Sequence, residues 1–488
     1  MSFLSILLAL LIFGVLIFIH ELGHFLVARA FGVQILEFAI GMGPKLFSFV
    51  SKKSGTRYSL RLIPIGGFVS MLGENGMEAV QGAQKVNPGS NQGESIFLND
   101  VKDENHVENT AKSEDGENAT QKNEMIDPEL AKHAYCNKSV WVRMLISLAG
   151  PLMNLLLGFL LMMVLVISAG PNEAATTQVA GFHITYNAEE SYAGLQKGDY
   201  LYMLKDGPED TNEQDDVRIL STDQLKKAVA ESATGEITFS VLRLNADRTD
   251  TISPNPVITI ALTDDLLRDK FATSLSAANG ENAGLMIGDI ILKVNNTSVH
   301  TYDQLSYEIM NQGYQPIDFT VERNGEKILL SNITVPRFDS NGVTFGEVDF
   351  LIYREANFHF GTILKHTFFR SVSTVKMVFD SIKGLFIHRY GFEALSGPIG
   401  ITKTISDVAQ SGQTLNLLYL VIVISINLGV MNLLPFPALD GGHLLLYIVE
   451  AVRRKPIRRE VEGIINFVGL ILILLLAVII AVKDIISL

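Results

Sequence analysis

Phe18-Ile19-His20-Glu21-Leu22-Gly23-His24 lies near the amino terminus, inside a segment with no charged side chain from Phe3 to Ile19. Phe25, Leu26, Val27 and Ala28 then resume the apolar run. An ionisable side chain at such depth is costly and marks function by default. In a helix, His20 and His24 stand one turn apart and project from one face. That spacing lets two imidazole nitrogens share one metal ion, with Glu21 beside it as a base.

An H-E-x-x-H in a water-exposed helix arises by chance often enough to mean little. In hydrocarbon the chance reading leaves three polar groups unpaired, so zinc ligation by His20 and His24 is the expectation. A cleaved signal peptide is the other reading of such a stretch. No basic start precedes the apolar core, and the charged motif occupies the place of a cleavage region, so the segment is expected to remain as a membrane helix.

The 488 residues, 48% of them apolar, allow several domains. A mean hydropathy of +0.26, with the apolar residues clustered, points to an integral membrane protein carrying a polar portion. The net charge of −13 and the lack of a large basic domain argue against nucleic acid as a partner. Cys136 is the single cysteine, which excludes an intrachain disulfide.

Residues 1–73 hold the first membrane helix, Leu4 to Ala30, and then a segment from Tyr58 to Met71. Its partial alternation around Pro64-Ile65-Gly66-Gly67 predicts a β-hairpin with a tight turn, either dipping into the membrane or lying on a surface. Residues 74–138 are rich in Asn, Glu, Gln, Asp, Ser and Gly, which predicts a disordered acidic insert. Residues 139–170 form the second membrane helix, with Gly150-Pro151 as a kink. Asn154 caps that break or bonds to the active site, the structural role being preferred.

Residues 171–340 are polar and repeat themselves. Ala193-Gly194-Leu195-Gln196-Lys197-Gly198-Asp199 recurs as Ala283-Gly284-Leu285-Met286-Ile287-Gly288-Asp289, each copy followed by strand, helix and strand patterns. The A-G-L-x-x-G-D pattern resembles bacterial PDZ domains, which bind extended peptides at a strand edge, and divides the region at 171–263 and 264–340. Residues 341–412 read as a linker with an amphipathic helix from Phe358 to Ile387, facing either a membrane surface or the protein, and a loop at Ser396-Gly397-Pro398-Ile399-Gly400.

Residues 413–488 hold the third membrane helix, Leu415 to Leu434, and the fourth, Ile464 to Val482. Pro435 and Pro437 should break the third into extended backbone just before Asp440. A carboxylate at a membrane-helix end needs a partner, and a metal holding two histidines still needs a third ligand, so Asp440 is expected to complete the site; His443 competes for that place. Arg453, Arg454, Lys455, Arg458 and Arg459, with the basic residues after the first helix, define the cytoplasmic side. Four crossings then leave the acidic insert inside and the tandem domains outside.

Together these features resemble the site-2 protease family, and within it the bacterial RseP-type intramembrane zinc metalloproteases: H-E-L-G-H in a first membrane helix, Asn432-x-x-Pro435-x-Pro437-x-Leu439-Asp440-Gly441 ending a third, and PDZ repeats between. The resemblance covers nearly the whole chain except the insert. It implies a polytopic α-helical membrane protein with four transmembrane helices, a membrane-reentrant β-hairpin and tandem extracytoplasmic PDZ domains of α+β type. It implies Zn2+ on His20, His24 and Asp440, Glu21 as catalytic base, and substrate binding by Asn432, Pro435, Pro437, Ile65, Gly66 and Gly67. The substrates would be single-pass transmembrane proteins in the bacterial cytoplasmic membrane, such as an anti-sigma factor already cut by a site-1 protease, or remnant signal peptides. The rival readings are a metal-ion transporter and a catalytically inactive membrane-tethered PDZ scaffold.

Overall fold

A computed structural model describes residues 3–74 and 131–486, less short stretches between 171 and 282 and at 341–342, 355–357 and 392–394. Most of the acidic insert, residues 75–130, therefore lies outside the described residues. The chain forms two compact units, residues 1–161 with 396–488, and residues 162–395.

In the first unit, four helices are long and apolar enough to cross a membrane: α1 (Phe3–Ala30), α2 (Val140–Ala169), α7 (Thr414–Leu433) and α9 (Arg459–Ile486). The last runs further at both ends than hydropathy predicts, because Glu460, Glu462, Lys483 and Asp484 continue the helix with charged side chains. Its apolar residues, Ile464, Phe467, Leu475 and Val478 among them, are exposed, as lipid contact requires. Helix α2 passes α7 closely. A Cβ at Gly158 would lie 2.5 Å from Cγ1 of Ile426, and one at Gly429 would lie 2.9 Å from the Pro151 carbonyl oxygen. Small residues at such a crossing let backbones approach where no hydrophobic force drives helices together.

The sheet beside α1 differs from the expected hairpin. Strands β1 (Ile35–Val50) and β2 (Arg57–Met71) are long and fold back on themselves. Phe38 faces both Val69 and Tyr58, while Phe49 also faces Tyr58. The lateral order of segments is thus 67–71, 35–40, 57–60, 45–50. Gly41 and Gly43, both at φ +83°, allow β1 to reverse course. The partner of residues 67–71 comes from upstream of the segment that alternation picks out. The insert is also shorter than expected: Gln34 N donates to the His133 carbonyl at 3.0 Å and Tyr135 N to that of Leu72 at 2.7 Å, so residues 131–138 pack on this unit.

Residues 398–410, expected as linker, form helix α6 (Pro398–Gln410). The N–H groups of Gly397 and Gly400 both donate to Oδ2 of Asp484 at 2.9 Å. A carboxylate there satisfies two orphan donors of the helix start and complements its dipole. Helix α8 (Asp440–Arg453) lies between α7 and α9 in the chain.

The second unit contains two six-stranded sheets. One follows the order β8-β7-β5-β4-β9, from β4 (Ile184–Tyr186), β5 (Tyr200–Lys205), β7 (Glu236–Leu242), β8 (Val257–Ala261) and β9 (Leu275–Ser276), with β6 (Val217–Arg218) on β5. The other follows β13-β12-β10-β3-β14, from β3 (Ala175–Phe182), β10 (Ile290–Val294), β12 (Ile317–Arg323), β13 (Glu326–Ile333) and β14 (Phe350–Arg354), with β11 (Thr297–Ser298) on β10. Strand β3 therefore belongs to the second module, and residues 184–276 are nested inside it. The cut at 263/264 and the end at 340 do not match the sheets. The repeated motif marks the turn before a central strand and carries no record of which strands flank it.

That motif has one structural job in both copies. Asp199 accepts from Arg243 Nε and Nη2 at 2.7 Å, and Asp289 from Arg323 Nε and Nη2 at 2.8 Å. The same arginines donate to the carbonyls of Gly194 and Gly284. Both carboxylates are buried and also accept a backbone N–H, from Gln196 and Met286. Helix α4 (Tyr302–Gln312) follows the second copy, as α3 (Thr222–Glu231) follows the first.

Helix α5 (Phe360–Phe386) packs on the protein, one of the two alternatives left open for it. Its polar face packs on α4 through Lys376 to Glu308 at 2.8 Å and Tyr307 to Asp380 at 2.8 Å. Phe360, Leu364, Phe368, Val372, Phe379 and Phe386, at helical spacing, remain exposed.

Replacing Arg323 by alanine strands a buried carboxylate, at a cost of about 2–3 kcal/mol. Protease susceptibility of the full chain in detergent should show the 175–354 region opening at lower denaturant in Arg323→Ala, with Lys327→Ala, an exposed strand position, unchanged.

Candidate metal centre

Helix α1 is apolar on every side except near its last turns, where His20, Glu21 and His24 occur. Asp440 is the first residue of α8. Helix α7 stops at Leu433, the chain turns through Pro435 and Pro437, and Ala438 takes a φ of +70°. The turn is tight because two glycines admit it: a Cβ at Gly441 would lie 2.2 Å from the Leu434 carbonyl oxygen, and one at Gly442 2.3 Å from that of Phe436. The expected break before Asp440 is thus present.

Asp440 Oδ2 lies 3.0 Å from His20 Nε2 and 3.5 Å from His24 Nε2, and the two imidazole nitrogens are 3.3 Å apart. Ligands about 2.0–2.2 Å from a tetrahedral zinc stand about 3.3–3.5 Å from one another; two edges of the triangle match that and the third is shorter, so the three atoms are close enough to share such an ion. Among the described residues these three form the one group of histidine, cysteine and acidic side chains close enough to share a cation. His443 is not a member; its Nδ1 lies 3.4 Å from Glu462 Oε1, and that partner holds its imidazole above the usual range.

Helix α2 supplies the wall. A Cβ at Gly23 would lie 2.4 Å from the Ala149 carbonyl oxygen, and one at Gly150 would lie 2.3 Å from His24 Nε2 and 2.8 Å from His20 Nε2. The helices cross where neither has a side chain. His24 Nδ1–H donates to the Ile146 carbonyl at 2.7 Å, which leaves Nε2 with its lone pair toward the cluster. Asn154, expected to be structural, reaches the site: its Nδ2 is 3.4 Å from His20 Nδ1.

Glu21 lines a cavity of about 630 Å³ with His20, His24, Asp440, Phe68, Glu74 and Tyr447. A Cβ at Gly67 would sit 3.1 Å from Glu21 Cγ, so strand segment 67–71 runs directly beside the carboxylate. Arg61 lies over the Phe68 ring at 4.8 Å and donates to Glu37 at 2.8 Å, with the Ser59 hydroxyl also donating to Glu37 at 2.6 Å. Burial pushes the Glu37 carboxyl up, but those hydrogen bonds outweigh it and hold it below the usual range.

The six residues assigned to substrate separate here. Gly67 meets Glu21, while Gly66, at φ +89°, packs against Met42. The side chain of Ile65 lies outside the described residues. Asn432, Pro435 and Pro437 do not line the cavity, and Pro437 packs against Gly469 of α9. Sequence reasoning missed Gly23, Ile146, Gly150 and Glu74. The spacing 146, 150, 154, one face of α2, was the available signal for two of them.

Residues 8–476 match peptidase family M50. The chain is 28% identical over 513 residues to the "Regulator of sigma-W protease RasP" of Bacillus subtilis, covering 98% of this chain and 97% of the relative. It is 27% identical to the "Probable protease eep" of Enterococcus faecalis, covering 98% and 97%, and 28% identical to a "Putative zinc metalloprotease" of Vibrio cholerae, covering 94% and 93%.

Gly150→Ala must push both imidazoles off the triangle. Elemental analysis of the full chain after dialysis against a chelator should find about tenfold less bound metal than in the parent. Gly463→Ala, where a Cβ meets nothing within 4 Å, should retain it.

Proposed function

Because the chain belongs to peptidase family M50, we propose that this metallopeptidase hydrolyses peptide bonds within transmembrane segments of single-pass membrane proteins, using zinc held by His20, His24 and Asp440. The observation that carries this reading is the ligand triangle, 3.0–3.5 Å on each side, beside Glu21 and among membrane-length helices. When bound, zinc supplies Lewis-acid polarisation of the scissile carbonyl and a lowered pKa for water. Glu21 removes a proton from the attacking water and returns it to the leaving amine, so that one carboxyl and one amine result.

The bond to be cut must first leave its helix, since a helical carbonyl is engaged by its own turn. Strand segment 67–71 is an edge of its sheet among the described residues, and Phe68, Val69 and Met71 line the cavity. An unwound substrate adding to that edge, with Gly67 as its closest point to Glu21, presents its carbonyl to the base. Asn432, Pro435 and Pro437 serve as the frame of the turn that carries Asp440.

The chain is a multi-pass membrane protein. Its basic residues after α1 and α8 support a cytoplasmic placement of those ends in the bacterial cytoplasmic membrane, with the two nested modules as extracytoplasmic PDZ domains. The repeated A-G-L-x-x-G-D turn with its Asp–Arg pair supports the PDZ reading. A relative named for regulation of sigma-W supports an anti-sigma factor, pre-cut by a site-1 protease, as one substrate class.

The test is incubation of the purified full chain with a panel of single-pass segments, beside Glu21→Gln. Mass spectrometry should locate cuts inside the apolar stretches for the parent. The variant should show at least ~10²-fold slower cleavage with zinc content unchanged. Cuts confined to polar flanks, or cleavage indifferent to Glu21, overturn the proposal; zinc flux into vesicles without cleavage would favour a transporter.

A further inference from the structure

Helix α2 makes contact with each ligating histidine on the side away from the triangle. It does so with two groups two turns apart, the Ile146 carbonyl for His24 and the Asn154 amide for His20. Asn154 is 1% exposed, and its Oδ1 has no hydrogen-bond partner among the described residues. An unpaired amide oxygen at such burial is unfavourable, so its position calls for a partner.

The hydrogen inventory supplies one. His20 presents Nε2 to the triangle, 3.0 Å from Asp440. If Nε2 carries the ring proton, it donates to Asp440, and Nδ1 accepts from Asn154 Nδ2–H across 3.4 Å. If Nε2 gives its lone pair to a cation, the ring proton must sit on Nδ1, which then requires an acceptor. The amide Nδ2, its lone pair delocalised into the carbonyl, cannot accept. A half-turn about the last torsion of Asn154 replaces it with Oδ1, the atom that lacks a partner.

We propose that Asn154 is a positioning residue for the metal centre: with zinc bound, its Oδ1 accepts from His20 Nδ1–H and so selects the tautomer and ring angle that ligate. The inference rests on the zinc reading of the triangle. Ile146 does the same for His24 with a carbonyl fixed in the helix, whereas Asn154 can turn, so His20 is the ligand whose proton arrangement is adjustable. The backbone of Asn154 is pinned independently, because its carbonyl accepts from the Ser425 hydroxyl at 2.9 Å. The amide can therefore turn without moving α2.

The experiment measures zinc retained by the full chain across a graded chelator series, for the parent, Asn154→Ala, Asn154→Asp and Ser425→Ala. Loss of an outer-shell acceptor is expected to weaken zinc retention about 10- to 100-fold in Asn154→Ala. Asn154→Asp keeps an acceptor and should hold zinc as tightly as the parent or more so. Ser425→Ala removes a helix–helix bond but leaves the amide, and should stay within about twofold of the parent while lowering thermal stability. Equal retention in Asn154→Ala and the parent overturns the proposal, as does equal loss in Asn154→Ala and Ser425→Ala, which would make the residue a packing element. Should Asn154→Ala not fold, weak retention in Asn154→Asp overturns it by itself. A parent chain without zinc removes the parent reading as well, which separates the two failures.

Discussion

The closest approach of α1 to α2 is the constraint on which the membrane unit depends. Two imidazoles and two carboxylates stand among apolar helices, where each unsatisfied polar group costs several kcal/mol. The close approach at Gly23 and Gly150 brings the Ile146 carbonyl within hydrogen-bonding reach of the His24 ring and the Asn154 amide within reach of His20. Any side chain at position 150 would occupy the space of His24 Nε2. Metal chemistry and helix packing are therefore one requirement, met at one crossing.

Distance from that crossing decides how the remaining elements are built. Asp440 arrives from the far end of the chain, so the turn carrying it must be rigid. Two prolines fix the backbone before it, and two glycines after it let α8 press against the turn's own carbonyls. Helix α9 then packs on Pro437 through Gly469, and the Asp484 carboxylate near its far end holds the start of α6. Helix α6 in turn packs Ile405 against Ala9 and Leu16 of α1. The loop closes on the helix that bears the histidines, which ties Asp440 to His20 and His24 by a continuous path of contacts.

Much of this was legible in the residues. Membrane spans announce themselves through length and hydropathy, and ionisable groups inside them are few enough to be conspicuous. His20, Glu21, His24 and Asp440 were singled out for that reason. What could not be read was pairing between segments far apart in sequence. The sheet segment 67–71 alternates as a strand should, yet nothing in Tyr58 to Met71 says that its neighbour is Ile35–Ile40. The nesting of residues 184–276 within the strands of the second module is hidden likewise, because β3 pairs with β10 more than a hundred residues later. Glycines that serve close approach were the other blind spot: Gly150 reads as half of a helix-kinking dipeptide until the rings opposite it are known.

Helix α1 also sorts wet from dry. Its Phe18, Leu22 and Phe25 face Phe38, Phe49 and Tyr58 in a wholly apolar pocket, while His20 and His24 face α2 and a cavity lined with Glu74, Arg143 and Glu450. Hydrolysis needs water on one side and an apolar peptide on the other. Glu21 follows His20 on the helix, between those faces, with the edge of segment 67–71 beside it. A single helical turn thereby sets an apolar pocket and a cavity lined with charged side chains on two sides of the same carboxylate. That is the arrangement the proposed reaction calls for, since it needs water from one side and an apolar peptide from the other.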